Sequence, residues 1–347
     1  MAITYHAGRR IQGTSTDFAG TPAVAGGWVE LGRTTNGSEL RDISVGSLAN
    51  KRYYMVLGDM RKGASTHGTG IHMNADTGAS YAVRRNGNGG TDNTNINLST
   101  DGGYITDTRV ANNFNVTYVA NLATKEKLWQ NQNVHQSTAG AGTAPTREEG
   151  VGKWANTADA MSTFTYHSWG GNYGTGSECV VLGWDPEDTH STNFWEELAS
   201  VDLSGLGVVL DSGTIPAKKY LWVQAYYNST AVPRSTMTFN SDTGSNYADR
   251  ISVNGATDTT QVSQSGIDTS ESNGRTLMNY FIVNNSANEK LVTGHIVNFG
   301  AAGAGTAPRR EEVVGKWANT SSQITKITFT TNQNMGTNSK LRVWGSD

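Results

Sequence analysis

Two carboxylates stand side by side in GAGTAPTREEGVGKWANT, which begins at Gly140, and again in GAGTAPRREEVVGKWANT, which begins at Gly303. Acid/base catalysis needs carboxyl groups that converge on one substrate. Glu148 and Glu149 cannot converge if the segment is a strand, because neighbouring side chains then leave opposite faces. The glycine-rich GAGTAP lacks the Lys-Ser/Thr of a phosphate cradle, and no helix signature follows it. Only Thr146/Arg309 and Gly150/Val313 differ between the two sentences. The pattern reads as scaffold: a loop, a strand with one inward tryptophan (Trp154, Trp317), a turn and the next strand. Gly152 and Gly315 leave room on that strand for a close backbone or a large ring.

Asp76 and Asp242 both open a DTG triplet. An aspartic-protease pair would need an apolar setting, and these triplets lie among turn-forming residues. A calcium site would use Asp76 with Asp92, or Asp242 with Asp258, as oxygen ligands. A hairpin turn is the preferred reading, with Arg84 and Arg250 available to pair with the aspartates. The seven histidines show no metal spacing. Cys179 is the only cysteine, so no disulfide closes within the chain, and it stands opposite Leu341 as a small apolar residue. No Ser/His/Asp set is shared by the two sentences' surroundings. No pair of acids can be named for a glycosidase, whose carboxyls stand about 5–9.5 Å apart. The expectation is a protein without catalysis, cofactor or bound metal.

Aromatics divide by recurrence. Trp28/Trp195, Tyr81/Tyr247 and Trp154/Trp317 recur and are expected in cores. Trp129, Tyr166, Trp169 and Tyr173 occur once and are the candidates for a recognition surface.

The elements that hold these residues follow from an internal repeat. KRYYMV at Lys51 faces KKYLWV at Lys218, MNADTGASYAVRRNGNGGTD at Met73 faces FNSDTGSNYADRISVNGATD at Phe239, and SECVVLGWD at Ser177 faces SKLRVWGSD at Ser339. The offset shrinks from 167 to 162 residues in steps that fall between motifs, as when loops shorten and strands keep register. Alternating runs such as KITFTT and turn signals such as NADTG give about eight short strands per unit. The fold class is therefore all-β, two tandem homologous β-sandwich domains of jelly-roll type: an arm at 1–25, a sandwich at 26–185, a linker at 186–193 and a sandwich at 194–347.

Charged residues are 16% of the 347, glycine numbers 41 and proline 6. With a net charge of −3 and no basic cluster, a nucleic-acid partner is not expected. No apolar run is long enough to span a bilayer, and MAITYHAGRRIQGTSTDFAG lacks the apolar core of a secretory signal, so neither a membrane nor export by the general route is expected.

GRRIQGTSTD, NKRYYMVLG, NADTGASYAVRRNGNGGTD, AGAGTAPTREE with VGKWANT, VLGWDPEDTHSTNFWEELASVDLS and a terminal LRVWGSD together resemble repeat proteins of marine tailed viruses, found in ocean bacteriophages and marine viral metagenomes. The resemblance runs over nearly the whole chain. It implies a virion structural component, made in the host cytoplasm and placed on the capsid surface or in an appendage such as a fibre. It supplies no catalytic residues. A virion protein is expected as a homo-oligomer, a trimer by preference, with residues 1–25 docking on other virion proteins. Two alternatives stand beside it: a carbohydrate-binding adhesin that recognises host-surface glycan, and a double jelly-roll major capsid protein.

Overall fold

The computed structural model describes residues 24–25, 27–100, 102–106, 111–186, 188–190, 192–228, 234–271, 274–299 and 302–347. The arm expected at 1–25 lies outside them except for Val24–Ala25, which pairs antiparallel with Thr189–His190. Among the described residues there is no helix.

The strands form two sandwiches, each an eight-stranded sheet backed by a four-stranded one. The large sheet of the first half runs, edge to edge, through Val29–Thr35, Glu178–Trp184, Tyr53–Met60, Asn112–Ala120, Lys127–Gln136, Thr146–Trp154, Tyr81–Gly87 and Asn93–Leu98. Its small sheet is Asp42–Val45, Phe164–Gly170, His67–Met73 and Gly103–Tyr104. The second half repeats this order: Glu196–Asp202, Lys340–Ser346, Tyr220–Tyr227, Thr276–Val283, Lys290–Asn298, Arg309–Trp317, Tyr247–Val253 and Thr259–Gln264. Its small sheet is Gly207–Asp211, Ile327–Met335, Arg234–Phe239 and Ile267–Glu271. Each half thus has more strands than the eight its spacing suggests. The additional ones include segments as short as Gly103–Tyr104, too brief to show an alternating pattern.

Alternation along the strands sorts side chains into three apolar layers. Tyr54 and Val56 face the small sheet of the first half, and Leu221, Val223 and Ala225 do the same in the second. The residues between them face the other way. Met55, Leu57, Phe114, Val116, Val180 and Leu182 of the first large sheet meet Tyr220, Phe281, Val283, Leu291 and Val314 of the second in a common buried cluster. The large sheets therefore pack outer face to outer face, and the layers run small sheet, large sheet, large sheet, small sheet.

One core position breaks the correspondence between the halves. Asp249 lies opposite Gly315, as Val83 lies opposite Gly152, and both are buried. The backbone N–H of Asp268 donates to Asp249 Oδ2 at 2.9 Å. Burial, together with the charge of Asp268, outweighs that bond and pushes the Asp249 carboxyl up to about 7. The native state therefore holds a proton that the unfolded chain has released between about pH 4 and pH 7. Stability is full below that range, falls as pH rises through it, and stays low above. Asp249→Asn keeps an acceptor for Asp268 and carries no charge. It is expected to gain roughly 1–3 kcal/mol over wild type at pH 8 and close to nothing at pH 4, as read by urea denaturation at both values.

Candidate functional site

The repeated sentence builds the same scaffold twice. The Trp154 indole N–H donates to Asp76 Oδ2 at 2.7 Å, and Trp317 donates to Asp242 Oδ2 at 2.7 Å. The other oxygens accept from the backbone N–H of Gly78 and Gly244, closing the DTG turns. Burial opposes ionisation of both aspartates, but these donors prevail and hold each carboxyl below its ordinary range. Lys127 and Lys290 place their ammonium groups 5.3 and 5.5 Å from the ring centres of Trp154 and Trp317. Each lysine also donates to a carbonyl of the ANT turn, Asn156 in the first half and Asn319 in the second. The sentence is a fastening of turn, tryptophan and lysine.

This arrangement separates the calcium candidates. Asp76 and Asp92 lie at opposite ends of the seven-residue strand Tyr81–Gly87, roughly 20 Å at about 3.3 Å per residue. Asp92 pairs with Arg84 at 3.4 Å, and Asp258 takes both arms of Arg147, at 3.1 and 2.9 Å. Arg250 donates to the carbonyl of Pro145 at 2.9 Å and not to Asp242. Neither aspartate pair converges on one point.

Three of the four aromatics expected at a recognition surface are buried: Trp129, Tyr166 and Tyr173. Trp129 turns inward because Gly152 makes room for it, where a Cβ would stand 2.2 Å from its ring. In the second half Ile267 fills the corresponding space over Gly315. Tyr166 packs edge-on to Phe164, and Tyr173 packs edge-on to His67. Trp169 is half-buried, its ring lying over Gly68. Trp28, expected in a core, is only half-buried, whereas Trp195 is buried.

The reason lies in how the large sheets meet. The end of the second sheet that carries Tyr220, Leu291, Val314 and Lys316 is covered by the first half. The corresponding end of the first sheet, with Tyr53, Leu128, Val151 and Lys153, faces outward. Leu128 is 58% exposed against 2% for Leu291, and Val151 is 53% exposed against 0% for Val314. A groove of about 820 Å³ crosses this open end. Trp28, Tyr53, Tyr118 and Trp184 line one side, with Tyr53 and Trp184 stacked at 5.4 Å. Leu128, Val151 and the 67% exposed Ile96 line the other. No sequence pattern marks the groove, because the residues match those of a covered face.

Polar contacts between the halves cluster around the first GAGTAP loop. Its Gly140 N–H donates to Glu289 at 2.5 Å, its Thr138 neighbour accepts from the buried Lys316 at 2.8 Å, and its Ala141 carbonyl accepts from Ser263 N–H at 2.8 Å. Arg147 then clasps Asp258. Burial would raise the Glu149 carboxyl, but His295 at 3.0 Å and Arg147 at 3.1 Å hold it below the usual range. Burial and the nearby Glu149 charge raise Glu312 instead. Among the described residues, Glu149, His295 and Glu312 form the group whose spacing could hold a metal ion, with ligand atoms within 4.8 Å of one another. At the far corner Lys219 reaches Glu178 at 2.9 Å and Asp59 at 3.6 Å.

No protein-family model and no curated protein matches the chain. Among solved structures, domains LG4-5 of the mouse laminin alpha1 chain align over 92% of this chain and 90% of that one, at 10% identity and a TM-score of 0.17. Human GIVD cytosolic phospholipase A2 aligns over 78% of this chain and 33% of that one, at 6% identity and a TM-score of 0.11. Scores this low carry no argument, and the chain is placed here as an all-β protein of two sandwiches.

Proposed function

We propose that the chain is a non-enzymatic structural subunit of a virus particle, on the capsid surface or in an appendage, and that it assembles through the outer faces of its large sheets. The observation that carries this reading is the open end of the first sheet. Leu128, Val151 and Ile96 are exposed there, beside a groove of about 820 Å³. An exposed apolar groove rimmed by polar residues supports an interaction surface. Mass measurement at micromolar concentration tests the reading. A homo-oligomer is expected, and a chain that stays monomeric and finds no partner on purified particles would overturn it.

A second reading is a carbohydrate platform, favoured by Trp28, Tyr53, Tyr118 and Trp184 along one wall. Sugar recognition combines aromatic stacking with a few placed polar groups, and here Gln130, Lys153 and Arg84 would supply them. Glycan binding that disappears in Trp184→Ala, with assembly unchanged, would select this reading.

A further inference from the structure

We infer that the occupant of the groove is the second half of another copy of this chain, so that copies join head to tail. This rests on the reading of the chain as an assembling subunit and names its partner. Within one chain, the contact between the halves is heterologous: it uses one end of the first sheet's outer face and the opposite end of the second's. The first half contributes Leu57, Phe114 and Val134, all buried. Strand order and register place Gln224, Leu277 and Val297 at the corresponding positions of the second half. Leu277 is 47% exposed and Val297 43%. Each chain therefore ends in two unmatched surfaces, the groove on the first half and the Leu277/Val297 face on the second. A heterologous contact that is used once leaves such a pair open, and repetition closes it into a ring or extends it into a fibre.

The GAGTAP loops carry the correspondence further. In the first half, Ala141, Pro145 and Arg147 are buried against the second half. In the second half the same sentence leaves Ala304, Pro308 and Arg310 exposed. What the first loop grips is Glu289, Arg250, Asp258 and Ser263. At the corresponding places the first half offers Glu126, Arg84, Asp92 and Asn97, and all four are exposed. The clasp of Arg147 on Asp258 would thus recur as Arg310 of one copy on Asp92 of the next. The far corner does not carry over. Glu178 and Asp59, which meet Lys219, correspond to Lys340 and Tyr226, which would meet Arg52. The contact between copies leans on the loop end and is weaker than the one within the chain.

The test uses full-length Val151→Arg, which charges the groove, and Leu277→Arg, which charges the opposite face. Both positions are exposed, so melting temperatures stay at the wild-type value. Sedimentation should show each variant alone self-associating at least about tenfold more weakly than wild type, since a charge is placed in an apolar contact. An equimolar mixture should recover association, with a species of twice the 37.1 kDa chain mass, because each variant retains the surface the other has lost. If Val151→Arg abolishes assembly and Leu277→Arg leaves it intact, or the mixture recovers nothing, the head-to-tail contact is overturned and the assembling role survives. A wild-type chain that remains monomeric at about 100 μM, far above the Kd of a stable interface, overturns both.

Discussion

Trp154→Ala is expected to destabilise the chain by roughly 3–5 kcal/mol, the range for removing a buried indole. The side chain is fully buried, and its loss opens a cavity between Tyr81, Lys127 and the DTG turn. It also strands the Asp76 carboxylate without its indole donor and leaves Lys127 without its aromatic lid. Trp317→Ala should cost a similar amount, because Asp242 and Lys290 repeat the arrangement. Trp154→Phe keeps much of the ring and isolates the lost bond, at about 1–3 kcal/mol. Chemical denaturation followed by circular dichroism reads all three. A loss below about 1 kcal/mol for Trp154→Ala would mean that the site collapses around the gap and that the sentence is not a fastening.

Arg147→Ala is the second substitution with a large expected effect. Its guanidinium bridges Asp258, whose side chain is fully buried, and Glu149. Removing one partner of a buried pair leaves the other charge without compensation, at a cost of roughly 3–5 kcal/mol. Burial lowers the guanidinium's affinity for its proton, but the bond to Asp258 and the Glu149 charge outweigh that, so it stays charged at any working pH. The loss should concentrate between the halves: hydrogen exchange should accelerate in residues 140–147 and 254–263 before it does in either sandwich core. Arg310→Ala is the internal control, because the same residue in the second sentence is 64% exposed. It pairs with the buried Glu312 through a solvent-screened guanidinium, so outside an assembled state its loss should cost about 1 kcal/mol, well below that of Arg147→Ala.

Much of the frame could be read from residue pattern alone. The shared tryptophans, the DTG turns and the glycine two residues before Trp154 and Trp317 follow from local chemistry that both halves repeat, so alternation and turn signals were enough. Burial between the halves was not legible. Leu128 and Leu291 sit in the same pattern, and only the packing of one sheet on the other decides that one is exposed and the other covered. Trp28 misleads for the same reason: its counterpart Trp195 is buried and it is not. Trp129 misleads differently: an aromatic found in one half looks like a surface specialisation, yet Gly152 had already made its place in the core. Sequence alone likewise gave no hint of the cluster of Glu149, His295 and Glu312, since it draws on both halves and recurs in neither.

The apolar layer between the large sheets also bears on how the chain is made. The first sandwich is complete by Trp184, and its covering partner begins only with Glu196. At roughly 5–20 residues per second, the remaining 150 or so residues occupy about 8–30 s of synthesis. Throughout that interval Leu57, Phe114, Val116 and Val180 stand uncovered on a finished sheet still tethered to the ribosome. Folding of a small β-sandwich takes milliseconds to seconds, so this surface is a waiting template for the second half. On a crowded polysome the neighbouring chain's second half competes for the same template. The short connection through residues 185–195 favours the chain's own half by keeping its local concentration high.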